Sequence, residues 1–268
     1  MTNSAGQEPT TVKGIARISV ILDCLTRHYP RQLPLAEIAR ETRIPKPTAH
    51  RLLGAMREEG FVTCDPVDGD YLLGYRMLDI GAKALRQNFA MASRSSIQRL
   101  ATRTGDTAFC AVSEGNSFCC VMRISGDYPV RTLSLETGDR WPLGVGALGL
   151  ALLASHGDDF IDRYIHTQIA SINDYMDVTP ASLWEDVRQT RKQGYAASAN
   201  SIITGMSAMG VAVNFPNSTR PMGAVSVAAI SNRLNGARKS QVIKMLETEK
   251  TLIEANLTLD DPQESFAG

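Results

Sequence analysis

Long apolar runs are scarce in these 268 residues. The longest, Leu143 to Ala154, is too short to cross a bilayer, and the polar opening MTNSAGQEPTTVKG lacks the apolar core of a signal peptide. A cytoplasmic protein with no membrane partner is expected. Cysteine is sparse as well. Cys24, Cys64, Cys110, Cys119 and Cys120 show neither paired metal-ligand spacing nor a disulfide framework, and four scattered histidines add no cluster. Reduced thiols are expected, with no metal and no cofactor. No GxSxG is present, and Cys119 and Cys120, as neighbours on a strand, point to opposite faces and cannot form one dithiol site. No histidine stands near them in sequence to act as a base. Catalysis is therefore not expected. Internal repeats and low-complexity tracts are missing too, while 43% hydrophobic residues suffice for cores in two domains.

Net charge is also absent, at 28 basic against 28 acidic residues, but its distribution is uneven. From Thr11 to Arg57 nine basic residues face the three acids Asp23, Glu37 and Glu41, a local charge of +6 that leaves −6 for the rest. Phosphate binding needs lysine and arginine gathered on one surface, whatever the overall balance. Within this window LAEIARETRIPKPTAHRLLGAMREEG reads as two helices around a turn near Arg43 to Pro45. Leu35, Ile38 and Ala39 mark the first, which stops before Pro45 because a residue preceding proline is pushed out of the helical region. In the second, Ala49, Leu52, Leu53 and Met56 form an apolar stripe at i, i+3, i+4 and i+7, turning Lys46, Thr48, His50, Arg51 and Arg57 away from it. Pro47 is tolerated near the helix start, where the N–H has no intrahelical partner. One face packs and the other is free to bind, which is the pattern of a DNA-reading helix-turn-helix.

Ile15, Ile18, Leu22 and Leu25 predict a preceding helix over Lys13 to His28. FVTC and YLLG predict two short strands around DPVDGD, where Asp68-Gly69 favours a hairpin turn. Three helices and a hairpin describe a winged helix, whose acidic tip at Asp65, Asp68 and Asp70 argues against phosphate contacts there. GYRMLDIGAKALRQN predicts a linker helix ending at Asn88, and SSIQRLATRTG a separate one. TAFCAVSE, SFCCVMRIS and VRTLSLET then read as successive strands. Helices follow near Gly146 to Ser155, Phe160 to His166 and Ala181 to Gln193. GYAAS, SAMGVAVNF and PMGAVSVAAI supply further strands, and a charged helix over Ala237 to Asn256 closes the chain. Strands returning after helices without βαβ alternation argue for an antiparallel sheet with helices packed on it, an α+β fold.

Four ordered phrases resemble the IclR family of bacterial transcriptional regulators: IPKPTAHRLL with GFV, YLLGYRMLDIG, GDRWPLGVGALGLALLA, and ITGMSAMGVAV followed by GAVSVAA. The resemblance runs from about Val12 to Leu257. It implies a winged helix-turn-helix DNA-binding domain over 1–74, a linker helix used in dimerisation over 75–90, and an effector-binding domain with a GAF- or profilin-like antiparallel sheet over 91–268. Such proteins bind double-stranded DNA operators as dimers or tetramers and answer to small organic effectors, often carboxylates or aromatic acids. On the family's pattern Lys46, Thr48, His50 and Arg51 lie on the recognition helix. Arginine suits guanine O6 and N7, while lysine and threonine suit phosphates or base edges. Lys13 and Arg17 are read as phosphate or solvent residues.

In the second domain the helix beginning in PLGVGALG offers free N–H groups and a positive dipole end, a natural carboxylate site. The resemblance places effector contacts at Gly146 and Ala147, and on the opposite wall at Ser198, Asn200, Ala208, Ser226 and Ala228. ASANSIITG departs from the family by lacking the acids many relatives carry there, which is compatible with an anionic effector, and Asn200 is then expected to donate a hydrogen bond. Arg123, Arg131 and Trp141 are placed near the pocket entrance, with Trp141 as either a stacking surface or core. Met206, Met209 and Met222 serve as cavity lining or as packing. An alternative reading is a DNA-binding sensor of metal or redox state acting through the cysteines.

Overall fold

The computed structural model describes residues 13–130, 134–215 and 218–259. The chain divides into two compact units, Met1–Lys83 and Ala84–Gly268. In the first, α1 (Lys13–His28), α2 (Leu35–Thr42) and α3 (Lys46–Glu58) precede β1 (Val62–Cys64) and β2 (Tyr71–Leu73). Ile21, Leu25, Ile38, Leu53, Met56 and Val62 form its core. The turn between α2 and α3 rests on Arg43, which adopts the left-handed conformation (φ 55°, ψ 26°) uncommon for a side-chain-bearing residue. β1 and β2 pair antiparallel, and Leu33 exchanges backbone hydrogen bonds with Tyr71 at 3.0 and 2.8 Å, tying the loop after α1 to the hairpin. At the hairpin tip Asp65 Oδ1 accepts the N–H groups of Val67 and Asp68, which hold its carboxyl below the usual range. The chain leaves the hairpin through Gly74, where a Cβ would stand 2.1 Å from the Gly60 carbonyl oxygen, so no larger residue fits.

The two helices expected over 74–88 and from Ser95 are one helix, α4 (Tyr75–Thr104). It does not end at Asn88 or at the expected linker boundary of 90, because Phe89, Ala92, Ser93 and Ser96 carry on a buried stripe across that point. Unit two then builds β3 (Thr107–Glu114), β4 (Ser117–Ser125), β5 (Arg140–Pro142), α5 (Gly146–Ala154), α6 (Asp158–Asn173), α7 (Pro180–Gln193), β6 (Ala196–Ala199), β7 (Met206–Asn214), β8 (Pro221–Ile230) and α8 (Gly236–Leu259). Its six strands lie in the order β5-β4-β3-β8-β7-β6, each neighbouring pair antiparallel. The strand expected over VRTLSLET is not where the sheet continues. Residues 131–133 lie outside the described residues, 134–137 are not strand, and β5 takes the place beside β4, with Trp141 opposite Phe118.

Helices cover both faces of this sheet, so β3 and β8 are apolar along most of their length rather than alternating with polar residues. The alternation is one of size. On β7, Ala208, Gly210 and Ala212 interleave with Met209, Val211 and Val213; on β8, Ala224, Ser226 and Ala228 interleave with Val225 and Val227. The large residues pack with Phe89, Ile97 and Leu246 from α4 and α8. The small ones face α5, α6 and α7 and leave room there. Two charge clusters lock the α4–α8 side. Asp106, 1% exposed, accepts from Arg233 and Arg238 at 2.8 Å each. Glu249, 2% exposed, takes a two-pronged contact from Arg99, with Nη2 at 2.6 Å and Nε at 3.0 Å.

Candidate functional site

Burying Ala49, Leu53 and Met56 turns the opposite face of α3 to solvent. Lys46, His50 and Arg51 are exposed there, and Thr48 is half-buried at their edge. Among the described residues, the side chains of Lys46, His50 and Arg51 have no hydrogen-bond or ion-pair partner. Glu59, a candidate to neutralise Arg51, is taken instead by Arg76, whose Nη1 approaches it at 3.0 Å while its guanidinium lies over Phe61. His50 caps no core. Two cations and an imidazole thus stand uncommitted on one helical face.

The second candidate site lies in unit two, where the small residues of β7 and β8 meet the start of α5. A cavity, open on one side, is lined by Phe109, Phe118 and Trp141 and by Gly146, Ala147 and Leu148. Ser134, Leu135, Ser198, Ile202, Ala208, Ser226 and Ala228 complete the wall. Among the described residues, none that lines it is charged. The nearest acid in the adjoining hollow, Asp186, is kept on the high side of the carboxylate range by burial and then by Glu185. Helix α5 is buried from end to end, yet no side chain caps its start at Val145. Its first-turn N–H groups have no intrahelical acceptor, and the residues that carry them, Gly146, Ala147 and Leu148, line the cavity. Tyr164 fixes the approach to α5, donating from its hydroxyl to the carbonyls of Asn116 and Leu143 at 2.9 and 3.1 Å. Gly146 has φ +63°, and a Cβ on it would come within 2.9 Å of Ile202 Cδ1. The loop carrying Ile202 closes the cavity over that glycine.

Of the residues singled out from sequence, Gly146, Ala147, Ser198, Ala208, Ser226 and Ala228 come together on this wall. Asn200 does not. It is exposed, adopts φ 58°, and its Oδ1 accepts the Gly205 N–H at 2.7 Å, so it shapes the loop bearing Ile202 instead of reaching the cavity. Trp141 lines the cavity and packs on Tyr175, with centroids 5.1 Å apart. Arg123 is paired with Glu136, and Arg131 lies outside the described residues. Met206 borders a second hollow beside Ile202 and Ile203, whereas Met209 and Met222 pack on the sheet's opposite side. Phe109, Phe118, Ser134, Leu135, Val145, Leu148 and Ile202 are the lining residues that the sequence reading missed.

The thiols in this unit are withdrawn from chemistry. Burial pushes Cys110 and Cys120 up to about 12 and raises Cys119 as well, so the nucleophilic thiolate is suppressed. Cys120 faces the α5 side and Cys110 the α4 side, in separate packed layers.

A winged helix-turn-helix with a free basic face, on one chain with a sheet unit enclosing a cavity, is the composition of a DNA-binding transcriptional regulator. The model of the IclR helix-turn-helix domain matches residues 14–66, and that of the bacterial transcriptional regulator IclR C-terminal domain matches residues 82–253. The chain belongs to the IclR family. XynR of Escherichia coli, a helix-turn-helix transcriptional regulator, is 24% identical over 247 residues, covering 88% of this chain and 93% of that protein. KipR of Bacillus subtilis, another such regulator, is 26% identical over 231 residues, covering 85% and 89%. An IclR-family regulator from Rhodococcus sp. has the same fold, with a TM-score of 0.71 at 22% identity over 94% of this chain and 97% of that one. These relatives are regulators and not enzymes. Among the described residues, no helix is long and apolar enough to cross a membrane.

Proposed function

We propose that this protein is a one-component regulator whose binding to a double-stranded DNA operator is modulated by a small anionic organic effector held in the α5 cavity. The observation that carries the reading is the buried, uncapped start of α5 opening on that cavity. A carboxylate there receives backbone N–H donors and the positive end of the helix dipole. Phe109, Phe118 and Trp141 favour an apolar or aromatic body behind the carboxylate. Ser198 and Ser226 supply hydroxyls on the opposite wall.

On the DNA side, Arg51 and Thr48 read base edges in the major groove, while Lys46 and His50 hold phosphates or neighbouring bases. The operator is met by a homodimer or tetramer. Tyr75, Leu78, Ile80 and Met91 leave apolar surface exposed on α4, which supports pairing through that helix. Linkage makes the two ligands reciprocal, so an effector that weakens DNA binding is itself held less tightly by the DNA complex.

The test is a thermal-shift screen of small aliphatic and aromatic carboxylates, followed by operator titration with each stabilising compound at fixed salt. Gly146→Ala is expected to retain operator binding and to lose effector affinity by at least about tenfold, because the new Cβ meets Ile202 and strains the left-handed backbone. An unchanged effector response in that variant sinks the assignment.

A further inference from the structure

A polar cluster in unit one takes no part in the DNA-facing surface. Cys24 and His28 stand four residues apart on α1, which places them on one helical face, and Glu41 reaches them from the last turn of α2. His28 Nε2 lies 3.2 Å from Glu41 Oε1, and Cys24 Sγ lies 3.6 Å from Glu41 Oε2. All three donor atoms fall within 4.8 Å of one another. The edges of a tetrahedron built with ordinary zinc bond lengths are about 3.3 Å between nitrogen and oxygen and about 3.6 Å between sulfur and oxygen. The nitrogen and the sulfur each stand at about such a distance from the Glu41 carboxylate, one at each of its oxygens.

His28 is oriented as a ligand would be. Its Nδ1 donates to the Cys24 carbonyl oxygen at 2.9 Å, and since a carbonyl only accepts, the ring proton is fixed on Nδ1 and Nε2 is turned toward the other two groups. Ligating histidines commonly carry such a backbone partner on the other ring nitrogen. Access is available from solvent, for the side chains of His28 and Glu41 are 25% and 26% exposed while Cys24 forms the buried floor.

We propose that Cys24 Sγ, His28 Nε2 and the Glu41 carboxylate bind one divalent transition-metal ion, zinc by the chemistry of the ligand set, with water completing the coordination. A thiolate and an imidazole select against magnesium and calcium. One thiolate, one carboxylate and one neutral imidazole also bring two negative charges to a doubly charged ion, leaving a neutral, half-buried centre. On loading, the thiol proton of Cys24 and any second proton of the His28 ring, on Nε2, pass to solvent, and the Cys24 hydrogen bond and the His28 contact to Glu41 give way to metal bonds. The ion then pins α1 to α2, the helix preceding the turn into α3.

The experiment uses the full-length protein, reduced and stripped with chelator, titrated with Co²⁺ and with Zn²⁺ against a competing chelating dye. One equivalent of Co²⁺ is expected to bind with a thiolate-to-cobalt absorption in the near ultraviolet. That band disappears in Cys24→Ser and persists in Cys64→Ser. Zinc affinity is expected to fall at least about 100-fold in Cys24→Ser and at least about tenfold in Glu41→Gln, a variant that keeps the side chain's shape. Absence of stoichiometric binding, or equal affinity in wild type and Glu41→Gln, overturns the proposal. Neither result bears on the α5 cavity.

Discussion

The two units use charge in opposite ways. In unit one Lys46, His50 and Arg51 stand exposed and unpaired among the described residues, on a helix whose other face is packed. In unit two the strongest charges are committed to architecture, with Asp106 buried between Arg233 and Arg238 and Glu249 beneath Arg99. Among the described residues, the cavity wall carries no charged side chain. A polyanion with regular phosphates is met by cations free to exchange water and salt for it. In the proposed function a small effector is met by backbone N–H groups and hydroxyls, which need no counter-charge and lose little entropy on binding.

The harshest break of this contrast is Asp106→Ala. It leaves two guanidinium groups facing each other and the Thr104 carbonyl with no carboxylate between them. Removing one member of a buried pair costs about 3–5 kcal/mol, and the 22% and 36% exposure of Arg233 and Arg238 places this case at the low end, about 3 kcal/mol. Hydrogen exchange in the full chain is expected to accelerate across 84–259 and to stay unchanged in 13–83. A loss below 1 kcal/mol in denaturant titration makes the cluster decorative.

Arg51→Ala is the matching break in the other unit, with the effects exchanged. Operator affinity is expected to drop by about 1–3 kcal/mol if a base contact is lost, while stability stays within about 0.5 kcal/mol because the side chain has no partner to abandon. Unchanged affinity at fixed salt removes Arg51 from the reading face.

The same contrast decides what the sequence made legible. The helix-turn-helix emerged with nearly its true limits, since a packed stripe and a basic face repeat every few residues, and Pro45 and Gly60 bracket its second helix. Helix α4 was split at Asn88 on local polarity, whereas Phe89 and Ala92 sustain it by packing against residues distant in sequence. VRTLSLET alternates like a strand, but the place beside β4 belongs to Arg140–Pro142, chosen by backbone pairing. The cavity draws on all six strands of the sheet, a helix start and two loops, so Phe109, Phe118 and Ile202 carried no local sign of their role. One clue was present in the small-large alternation of SAMGVAV and GAVSVAA, which marks one sheet face as hollow. Cys24 and His28 hold helical spacing, but Glu41 joins them only once α1 and α2 have packed.

Acid should find unit two through Glu249. Burial alone drives this carboxyl up, yet hydrogen bonds from Arg99 and Ser96 outweigh it and hold the group below its ordinary 4.5. A lowered folded value means the contribution is complete above the ordinary value and is lost as pH falls through the folded one. Denaturant midpoints of wild type are therefore expected to fall below pH 4.5 more steeply than those of Glu249→Gln. Parallel curves for the two proteins contradict the assignment.

The smallest expected effects separate a wall residue from a loop residue. Ser226 lies on the cavity wall, and its hydroxyl forms no hydrogen bond among the described residues. Ser226→Ala therefore removes no internal bond, but takes away a donor worth about 1.5 kcal/mol or more to a charged ligand, roughly a tenfold loss of effector affinity. Asn200→Gly keeps the left-handed backbone and the Asn200 N–H bond to the Met206 carbonyl, and gives up only the side-chain bond to Gly205. It should slacken the loop that carries Ile202 and weaken the effector by less than about tenfold, within the net worth of one neutral hydrogen bond. Calorimetric titration of both variants with one effector gives the order. If Asn200→Gly loses more than Ser226→Ala, the Asn200 amide touches the ligand and the loop closes further than its present hydrogen bonds imply.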